Sequence, residues 1–261
     1  MKIAMTIAGS DSGGGAGIQA DLKTFHQFGV HGTTAITALT AQNTVGVRGV
    51  HPVPPGFLLA QLDSLVPDLP PDAVKTGMLA EASLVAVVVR VAREQKWPAL
   101  VVDPVMVASS GDRLLSADAE TIMRDELLPL AALVTPNLDE AEILLGQEVR
   151  DAASMERAGR SLVALGARAA LVKGGHLDGD IVTDVLVTAD QTRRFTRPRL
   201  NIPGAHGTGC TLSAAIAAQL ALGTTLVQAV DESLRYVNRA MQAAPAIGHG
   251  HPPLNHAVPA R

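Results

Sequence analysis

The chain has 261 residues, of which 47% are hydrophobic but only 2% aromatic, and its formal net charge is −4. This length permits one large α/β domain or two small ones, with a core built from Ala, Val, Leu and Ile. The slight acidity, the lack of a long basic run and the scarcity of aromatic rings argue against a nucleic-acid partner.

The chain contains one cysteine, Cys210, so an internal disulfide is impossible, which is typical of a reducing compartment. The apolar stretch 1–8 is short and stops at Gly9, so it predicts a first strand and not a signal peptide. No apolar run approaches the length of a membrane span. We therefore expect a cytoplasmic protein that does not bind a membrane.

Strand-like and helical stretches alternate along the chain, which predicts an α/β fold with a mostly parallel sheet covered on both faces. No repeat, low-complexity tract or polar linker divides the sequence, so we expect one domain over residues 1–261. Residues 180–187 and 192–197 predict one hairpin. The other predicted strands are 2–8, 33–41, 99–102, 133–135 and 169–172, and the predicted helices are 18–28, 57–66, 82–95, 154–165 and 226–241.

The stretch 202–220 is a Gly-rich loop that runs directly into a helix. Leu212 and Ile216 recur at helical spacing and place the helix N-terminus near Gly209. A helix start leaves several backbone N–H groups unpaired and carries about half a positive charge. Because Gly207 and Gly209 let the backbone approach a ligand closely, the pattern predicts an anion site.

Cys210 lies at the start of that predicted helix. A thiol near a helix N-terminus is biased toward thiolate from a free pKa of about 8.5, which would make it a base or nucleophile. A small buried residue is an equally good interpretation, since free cysteine is among the most buried residue types. His206 is expected to be a loop residue with a hydrogen-bonded ring.

A second Gly-rich loop, residues 9–17, follows the first predicted strand. Within it, residues 15–20 match the dinucleotide fingerprint G-x-G-x-x-A. That fingerprint also requires an acidic residue about twenty positions later, and residues 22–62 contain no Asp or Glu. A Gly-rich lip over a small substrate is therefore preferred to an NAD site.

Polar residues that follow the predicted strands are candidate ligand-binding residues, because ligands lie beyond the carboxyl ends of parallel strands. Gln42 offers a donor and an acceptor to an amino-substituted nitrogen heterocycle, although a turn amide is the simpler interpretation. Met78 suits a flat ring, or it only fills the core. Asp103, followed by Pro104, suits Mg²⁺ or phosphate better than a plain turn.

Two further strand ends carry polar groups. Asn137 and Glu140 share a helix face and can serve a ligand, a capping box or both. Lys173 can reach a phosphate, or it is a solvated lysine before a Gly-Gly turn. The Walker pattern is absent, and the His-rich segment 248–256 is expected to be a surface tail and not a metal site.

As an ordered set, these segments closely resemble the hydroxymethylpyrimidine/phosphomethylpyrimidine kinases of thiamine biosynthesis, members of the ribokinase-like superfamily. The resemblance implies a three-layer α/β/α fold, ATP- and Mg²⁺-dependent phosphoryl transfer, and a homodimer. The acceptor would be 4-amino-5-hydroxymethyl-2-methylpyrimidine and then its monophosphate. The segments that carry the resemblance are 6–11, 13–21, 36–46, 75–79, 103–111, 135–142, 173–177 and 206–214.

The resemblance also implies residue roles, with Cys210 as the base that takes the hydroxyl proton. One departure is Gly204-Ala205, where the family usually has Asn-Thr, which bears on nucleotide affinity or loop order more than on the reaction class. The implied pyrimidine site consists of Gly9, Ala16, Asp21, Gln42, Met78, Val105 and Cys210. The implied ATP and phosphoryl site consists of Asp103, Asn137, Glu140, Lys173, Gly207, Thr208 and Gly209, with Asp103 and Glu140 facing the metal.

Three alternatives remain open at this point. A pyridoxal/pyridoxine kinase would use a similar flat ring with a hydroxymethyl group. A non-catalytic pyrimidine- or nucleotide-binding protein would have the pocket without the chemistry. An NAD oxidoreductase is the weakest of the three, for lack of the ribose-binding acid.

Overall fold

The computed structural model describes residues 1–106, 115–202 and 206–260. Two predicted features, the end of the 103–111 segment and Gly204-Ala205, lie outside the described residues. The strands are β1 (Ile3–Asp11), β2 (His31–Gln42), β3 (Val47–Pro52), β4 (Ala73–Thr76), β5 (Leu100–Val102), β6 (Leu133–Val134), β7 (Ala169–Val172), β8 (Ile181–Thr188) and β9 (Thr192–Pro198).

The α-helices in the described part of the chain match the five predicted ranges closely, and α7 begins next to the helix start expected near Gly209. Helix α5 carries the expected Glu140, and α4 was not predicted. A π-helical turn and a 3-10 turn follow α4, at Met123–Leu127 and Leu128–Leu130. The helices are α1 (Gly17–Gln27), α2 (Pro55–Asp68), α3 (Ala82–Gln95), α4 (Ala117–Ile122), α5 (Leu138–Leu145), α6 (Ala152–Ala164), α7 (Thr208–Ala221) and α8 (Leu226–Gln242).

All nine strands form one sheet in the order β3-β2-β1-β4-β5-β6-β7-β8-β9. The six strands from β2 to β7 in this order run parallel, whereas β3, β8 and β9 are antiparallel to their neighbours. The prediction of a single hairpin is wrong, because β3 pairs antiparallel with β2 after a four-residue connection. The short β3, with Val50 exposed at an edge of the sheet, gives little periodic signal.

Alternate residues of the central strands feed two separate cores. In β5, Leu100 and Val102 pack with α2 to α6 on one face, whereas Val101 packs with α1, α7 and α8 on the other. The same alternation separates Ile7 from Ala4 in β1. Helices therefore cover both faces of the sheet, which confirms the predicted three-layer fold.

Helix α7 is buried along most of its length, with ten of its residues enclosed. Small residues such as Ala214 and Ala218 let it lie close to the sheet beside α1 and α8. Its N-terminus points to the carboxyl ends of the parallel strands. Within the described residues, no helix is long and apolar enough to span a membrane.

A buried ion pair joins α1 to the centre of the sheet. Lys75 on β4 donates to both carboxylate oxygens of Asp21 on α1, at 3.0 and 2.8 Å, and both side chains are fully enclosed. Thr6 on β1 adds a hydrogen bond of 2.6 Å to Asp21. Burial opposes the charged form of Lys75, but Asp21, Cys210 and Asp103 together outweigh it and raise the lysine pKa above its ordinary value.

We predict that Asp21→Asn lowers the free energy of unfolding by about 3–5 kcal/mol, because it leaves the Lys75 charge buried without its partner. Urea unfolding measures this difference. The matched control is Lys2→Ala, which removes an exposed ion pair to Asp72, with side chains 52% and 31% exposed, and should cost no more than about 1 kcal/mol. Equal losses in the two variants would contradict a structural role for the buried pair.

Candidate active site

A cleft of about 610 Å³ lies at the carboxyl ends of the parallel strands, where the N-terminus of α7 reaches the sheet edge. Its lining contains every predicted site residue except Asp21. These are Gly9, Ala16, Gln42, Met78, Val105, Asp103, Asn137, Glu140, Lys173, Gly207, Thr208, Gly209 and Cys210.

Two glycines bring the start of α7 close to its neighbours. Gly207 has a φ of 84°, and a side chain there would collide with the carbonyl oxygen of Gly15 in the first Gly-rich loop. A Cβ on Gly209 would lie 3.2 Å from Lys173 Nζ and 3.8 Å from Asp103 Oδ2. The backbone N–H groups of the helix start therefore lie beside a lysine, a suitable environment for an anion.

Asp103 is anchored at the end of β5 by three side chains. Its Oδ1 accepts from Thr135 Oγ1 and Lys173 Nζ, both at 3.1 Å, and its Oδ2 accepts from Ser213 Oγ at 3.1 Å. Burial alone would raise its pKa, but Lys173, Lys75 and these hydrogen bonds hold the pKa below its ordinary value. Asp103 is therefore a fixed carboxylate that faces the cleft.

Glu140 and Asn137 form the capping box that the sequence allowed. Asn137 Oδ1 accepts from the Glu140 N–H at 2.9 Å, and Glu140 Oε2 accepts from the Asn137 N–H at 2.7 Å. Glu140 Oε2 also lies 3.8 Å from Lys173 Nζ. Burial raises the Glu140 pKa to about 7, against the effect of Lys173 and with that of Asp103. Capping and a place in the cleft thus coexist.

The donor set of this corner fits Mg²⁺. In proteins, Mg²⁺ is commonly bound through one or two carboxylates together with substrate phosphates, because it retains several other ligands such as water. Asp103 and Glu140 supply two carboxylates around one lysine. The described residues contain no group of three or more His, Cys, Asp or Glu side chains at metal-binding distances, so phosphate oxygens would have to complete the coordination.

Cys210 is only partly exposed and lines the cleft in the first turn of α7. Burial raises the pKa of its thiol to about 11, assisted by the charges of Asp21 and Asp103, whereas Lys75 and the Gly17 backbone act in the opposite direction. This corrects the predicted bias toward thiolate. The helix N-terminus favours the anion, but desolvation and two nearby carboxylates outweigh it.

Another wall of the cleft is formed largely by apolar groups. Met78 is nearly buried, and a Cβ on Gly9 would lie 2.6 Å from its methyl group, so the backbone of Gly9 contacts the methionine side chain. Thr37 fixes Met78 through a hydrogen bond of 2.6 Å to its carbonyl oxygen. Ala16, Gln42 and Val105 complete this wall. The arrangement suits a planar ring.

Asp21 differs from its predicted place in this lining. Its side chain is fully enclosed, and Lys75, which does line the cleft, lies against it. The carboxylate therefore neutralises a buried ammonium instead of facing ligand space. Lys75 is a cleft residue that the sequence analysis did not assign, because nothing in the local pattern distinguishes a buried lysine from a core position.

A polar cluster on the ring side was also only partly foreseen. His206 Nε2 lies 2.8 Å from Gln42 Nε2 and 3.2 Å from Asp11 Oδ2, which agrees with the expected hydrogen-bonded ring. Asp11 was visible in the first Gly-rich loop, but its pairing with a residue 195 positions away had no local signal.

The predicted surface tail is in part built into this side of the molecule. His251 donates its N–H to Thr44 at 2.8 Å, and Pro252 accepts from the His206 N–H at 2.9 Å. His256 is nearly buried, with its Nε2 3.0 Å from Thr211 Oγ1 on α7. Desolvation lowers the His256 pKa to about 4. The segment 249–256 thus holds His206, two residues before α7, and contacts α7 itself at Thr211.

Another pair, beside the turn that follows Lys173, was missed. Asp184 on β8 is buried, accepts the Gly174 N–H at 2.9 Å and pairs with Arg197 on β9. Both residues line the cleft. The Gly174 contact anchors the turn that follows Lys173. Its partners come from the antiparallel end of the sheet, so sequence spacing alone gave no indication of it.

The sequence profile described as phosphomethylpyrimidine kinase matches residues 11–255 of the chain. The hydroxymethylpyrimidine/phosphomethylpyrimidine kinase of Bacillus subtilis is 44% identical over 254 residues, which are 97% of this chain and 94% of that protein. The thiamine biosynthesis bifunctional protein ThiED of Geobacter sulfurreducens is 48% identical over 98% of this chain. The chain spans about half of that protein, 52% of its length.

Among solved structures, an ADP complex of Bacillus subtilis pyridoxal kinase superposes with a TM-score of 0.92 at 34% identity, covering 98% of both chains. The three-layer fold and these similarities together define a small-molecule kinase with a ribokinase-like fold. The chain belongs to the phosphomethylpyrimidine kinase family.

We predict that alkylation of Cys210 by iodoacetamide accelerates by about tenfold per pH unit between about pH 7 and 9, because the thiolate fraction rises through that range when the pKa is about 11. Intact-mass spectrometry measures the rate cleanly, since the chain contains one cysteine. Cys210→Ala provides the background. A rate that levels off near pH 8.5 would contradict the raised pKa.

Proposed function

We propose that the cleft residues catalyse the reaction of a hydroxymethylpyrimidine/phosphomethylpyrimidine kinase of thiamine biosynthesis, and that each group of residues has a separate role. The γ-phosphoryl group of ATP passes to the hydroxymethyl oxygen of 4-amino-5-hydroxymethyl-2-methylpyrimidine and then to the resulting monophosphate. One observation carries the division of roles. Gly209 lies against Lys173 and Asp103, and its neighbour Cys210 lines the same cleft.

The acceptor ring lies against Met78, Val105 and the backbone of Gly9 and Ala16 in this proposal. Gln42 hydrogen-bonds the ring edge, because a side-chain amide offers one acceptor beside one donor. This arrangement directs the hydroxymethyl group toward Cys210. Proximity and orientation of the two reacting groups are the main contribution that such a wall makes to the rate.

The triphosphate lies across the start of α7 in this proposal. The N–H groups of Gly207, Thr208 and Gly209 and the ammonium group of Lys173 stabilise the negative charge that spreads over the transferred phosphoryl group. Asp103, Asn137 and Glu140 belong to the same nucleotide side. Asp103 and Glu140 would hold Mg²⁺, which would neutralise phosphate charge there.

Cys210 takes the hydroxyl proton in the first phosphorylation. A thiolate whose pKa is about 11 is scarce near neutral pH but is a strong base, so the first step depends on pH. In the second phosphorylation the acceptor is already a phosphate anion. The second step therefore depends less on Cys210 as a base.

A pyridoxal kinase is the second candidate function, supported by the match over 98% of the chain to the pyridoxal kinase fold. A flat ring with a hydroxymethyl group fits the same wall. The predicted homodimer and cytoplasmic location stay predictions. The exposed Leu39, Val45 and Val50 on the β2–β3 arm are compatible with a second copy at that edge.

We predict that purified protein with ATP and Mg²⁺ releases ADP with both pyrimidines, and that Cys210→Ala loses most of the first step while retaining more of the second. Loss of a general base typically costs about 10²–10⁴-fold. A coupled ADP-release assay with hydroxymethylpyrimidine, its monophosphate and pyridoxal measures all three acceptors.

Turnover of pyridoxal alone in that assay would replace the pyrimidine with pyridoxal as the acceptor and leave the nucleotide side intact. Ligand binding without any turnover would favour a non-catalytic binding protein. Equal loss of both pyrimidine steps in Cys210→Ala would contradict the base assignment.

We predict that Gly209→Ala lowers kcat by about 10- to 100-fold, because the added methyl group occupies the space beside Lys173 and Asp103 where the phosphoryl group passes. The φ of this residue is not in the left-handed region, so the backbone accepts alanine. Gly56→Ala on α2 is the matched control, since a Cβ there meets nothing within 4 Å. An unchanged kcat in Gly209→Ala, measured by ADP release, would contradict the assignment.

A further inference from the structure

The Nε2 atom of the His206 imidazole, which lines the cleft, has two hydrogen-bond partners that require opposite protonation of that nitrogen. His206 Nε2 is 2.8 Å from the side-chain nitrogen of Gln42 and 3.2 Å from Asp11 Oδ2. A lone pair on Nε2 would accept from the amide but repel the carboxylate, and a proton would do the reverse. Because the oxygen and nitrogen of a glutamine amide have nearly the same shape, turning the amide over resolves the conflict.

Asp11 determines which state the histidine adopts. Its Oδ2 accepts the N–H groups of Gly15 and Ala16 at 2.9 and 2.8 Å, and its Oδ1 accepts that of Gly13 at 2.8 Å. Burial opposes the charge, but the hydrogen bonds from His206, Ala16 and Gly13 outweigh it and keep the Asp11 pKa below its ordinary value. An ionised carboxylate only accepts, so Nε2 carries a proton. That single proton lies between Asp11 Oδ2 and the Gln42 amide, and the two acceptors share it once the amide is turned over so that its oxygen faces the ring.

The other end of the Gln42 amide leads to the same orientation. Thr40 Oγ1 lies 2.9 Å from the Ser10 carbonyl oxygen and 3.1 Å from Gln42 Oε1. The hydroxyl has one proton, and the Ser10 carbonyl can only accept it. Thr40 therefore offers Gln42 a lone pair, which suits the amide NH₂ group and not the amide oxygen.

We infer that His206 and Asp11 are positioning residues that orient Gln42 with its carbonyl oxygen toward His206 and its NH₂ group toward Thr40. The inference rests on the proposed function, because it concerns how Gln42 recognises the ring. The backbone anchors of this cluster are independent of the amide: Gln42 N–H donates to Ser12 Oγ at 2.8 Å, and His206 N–H donates to the Pro252 carbonyl at 2.9 Å.

The orientation determines which ring edge is accepted. After bonding to His206 and Thr40, the Gln42 amide retains one lone pair on oxygen and one N–H on nitrogen. An exocyclic amino group beside a ring nitrogen presents the complementary donor and acceptor. A 4-oxo ring, with its C=O beside a ring N–H, presents the two in reverse order. The cluster therefore selects the aminopyrimidine over its oxo analogue.

Nuclear magnetic resonance of protein labelled with ¹⁵N-histidine tests the tautomer without any substrate. The His206 signal is assigned by its loss in His206→Leu. We expect this signal to show a proton on Nε2 at neutral pH. A neutral ring protonated only at Nδ1 would overturn the inference.

Selectivity tests the consequence, using 4-amino-5-hydroxymethyl-2-methylpyrimidine and its 4-oxo analogue as acceptors. The preference is the ratio of their kcat/KM values in ADP release. His206→Leu removes the N–H donor and should reduce the wild-type preference about tenfold, mainly through KM for the ring. His206→Gln keeps an N–H donor for both Asp11 and Gln42 and should retain most of the preference.

The controls separate this role from general damage. The two His206 variants should unfold at similar temperatures, which would show that neither substitution damages the fold more than the other. They should also show similar KM for ATP, because neither removes a nucleotide contact. An unchanged preference in His206→Leu, or an equal loss in both variants, would overturn the inference. Equal use of the two rings by wild type would overturn it and leave the kinase activity standing, whereas turnover of neither ring would overturn the proposed function itself.

Discussion

The close approach of α7 to the carboxyl edge of the sheet is the constraint on which the cleft depends. Two positions permit it. Gly207 lies against the carbonyl of Gly15, and Gly209 leaves open the space beside Lys173 and Asp103. Behind them, the small residues of α7 pack directly on the strands. Because both Gly-rich loops meet here, one helix start can serve the ring side and the phosphate side together.

Two groups of oppositely charged side chains lie in or beside the cleft, and they have different roles. Asp21 neutralises Lys75 out of reach of solvent, whereas Asp103 and Glu140 share Lys173 at the surface of the cleft. The second group has an excess of one negative charge when both carboxylates are ionised. Burial raises the Glu140 pKa to about 7, and the charge of Asp103 adds to that effect. The same excess suits a cation that arrives with phosphates.

The sequence predicted the parts of this protein that depend on local pattern. Helix α3 was predicted at its observed bounds, because its apolar residues recur regularly. The strand ends indicated Gln42, Asp103 and Lys173, and all three line the cleft. The resemblance supplied the roles. What could not be predicted depends on distant partners. The edge strand β3 shows little periodicity, and the raised pKa of Cys210 depends on burial and on charges from other elements.

The pairings of His206 with Asp11 and of Asp184 with Arg197 were equally hidden, since each joins segments whose spacing carries no signal. Asp21 illustrates the same limit. Its position matched a family pattern, but only the three-dimensional arrangement shows that Lys75 lies between it and the cleft. Local pattern thus identifies where a site lies, and packing decides what each group faces.

The segment 249–256, which bonds to Thr44, His206 and Thr211, follows every strand and helix in sequence. During synthesis on the ribosome, each of the nine described strands therefore emerges before this segment does. The contacts that hold His206 at the rim of the cleft are then among the last to form.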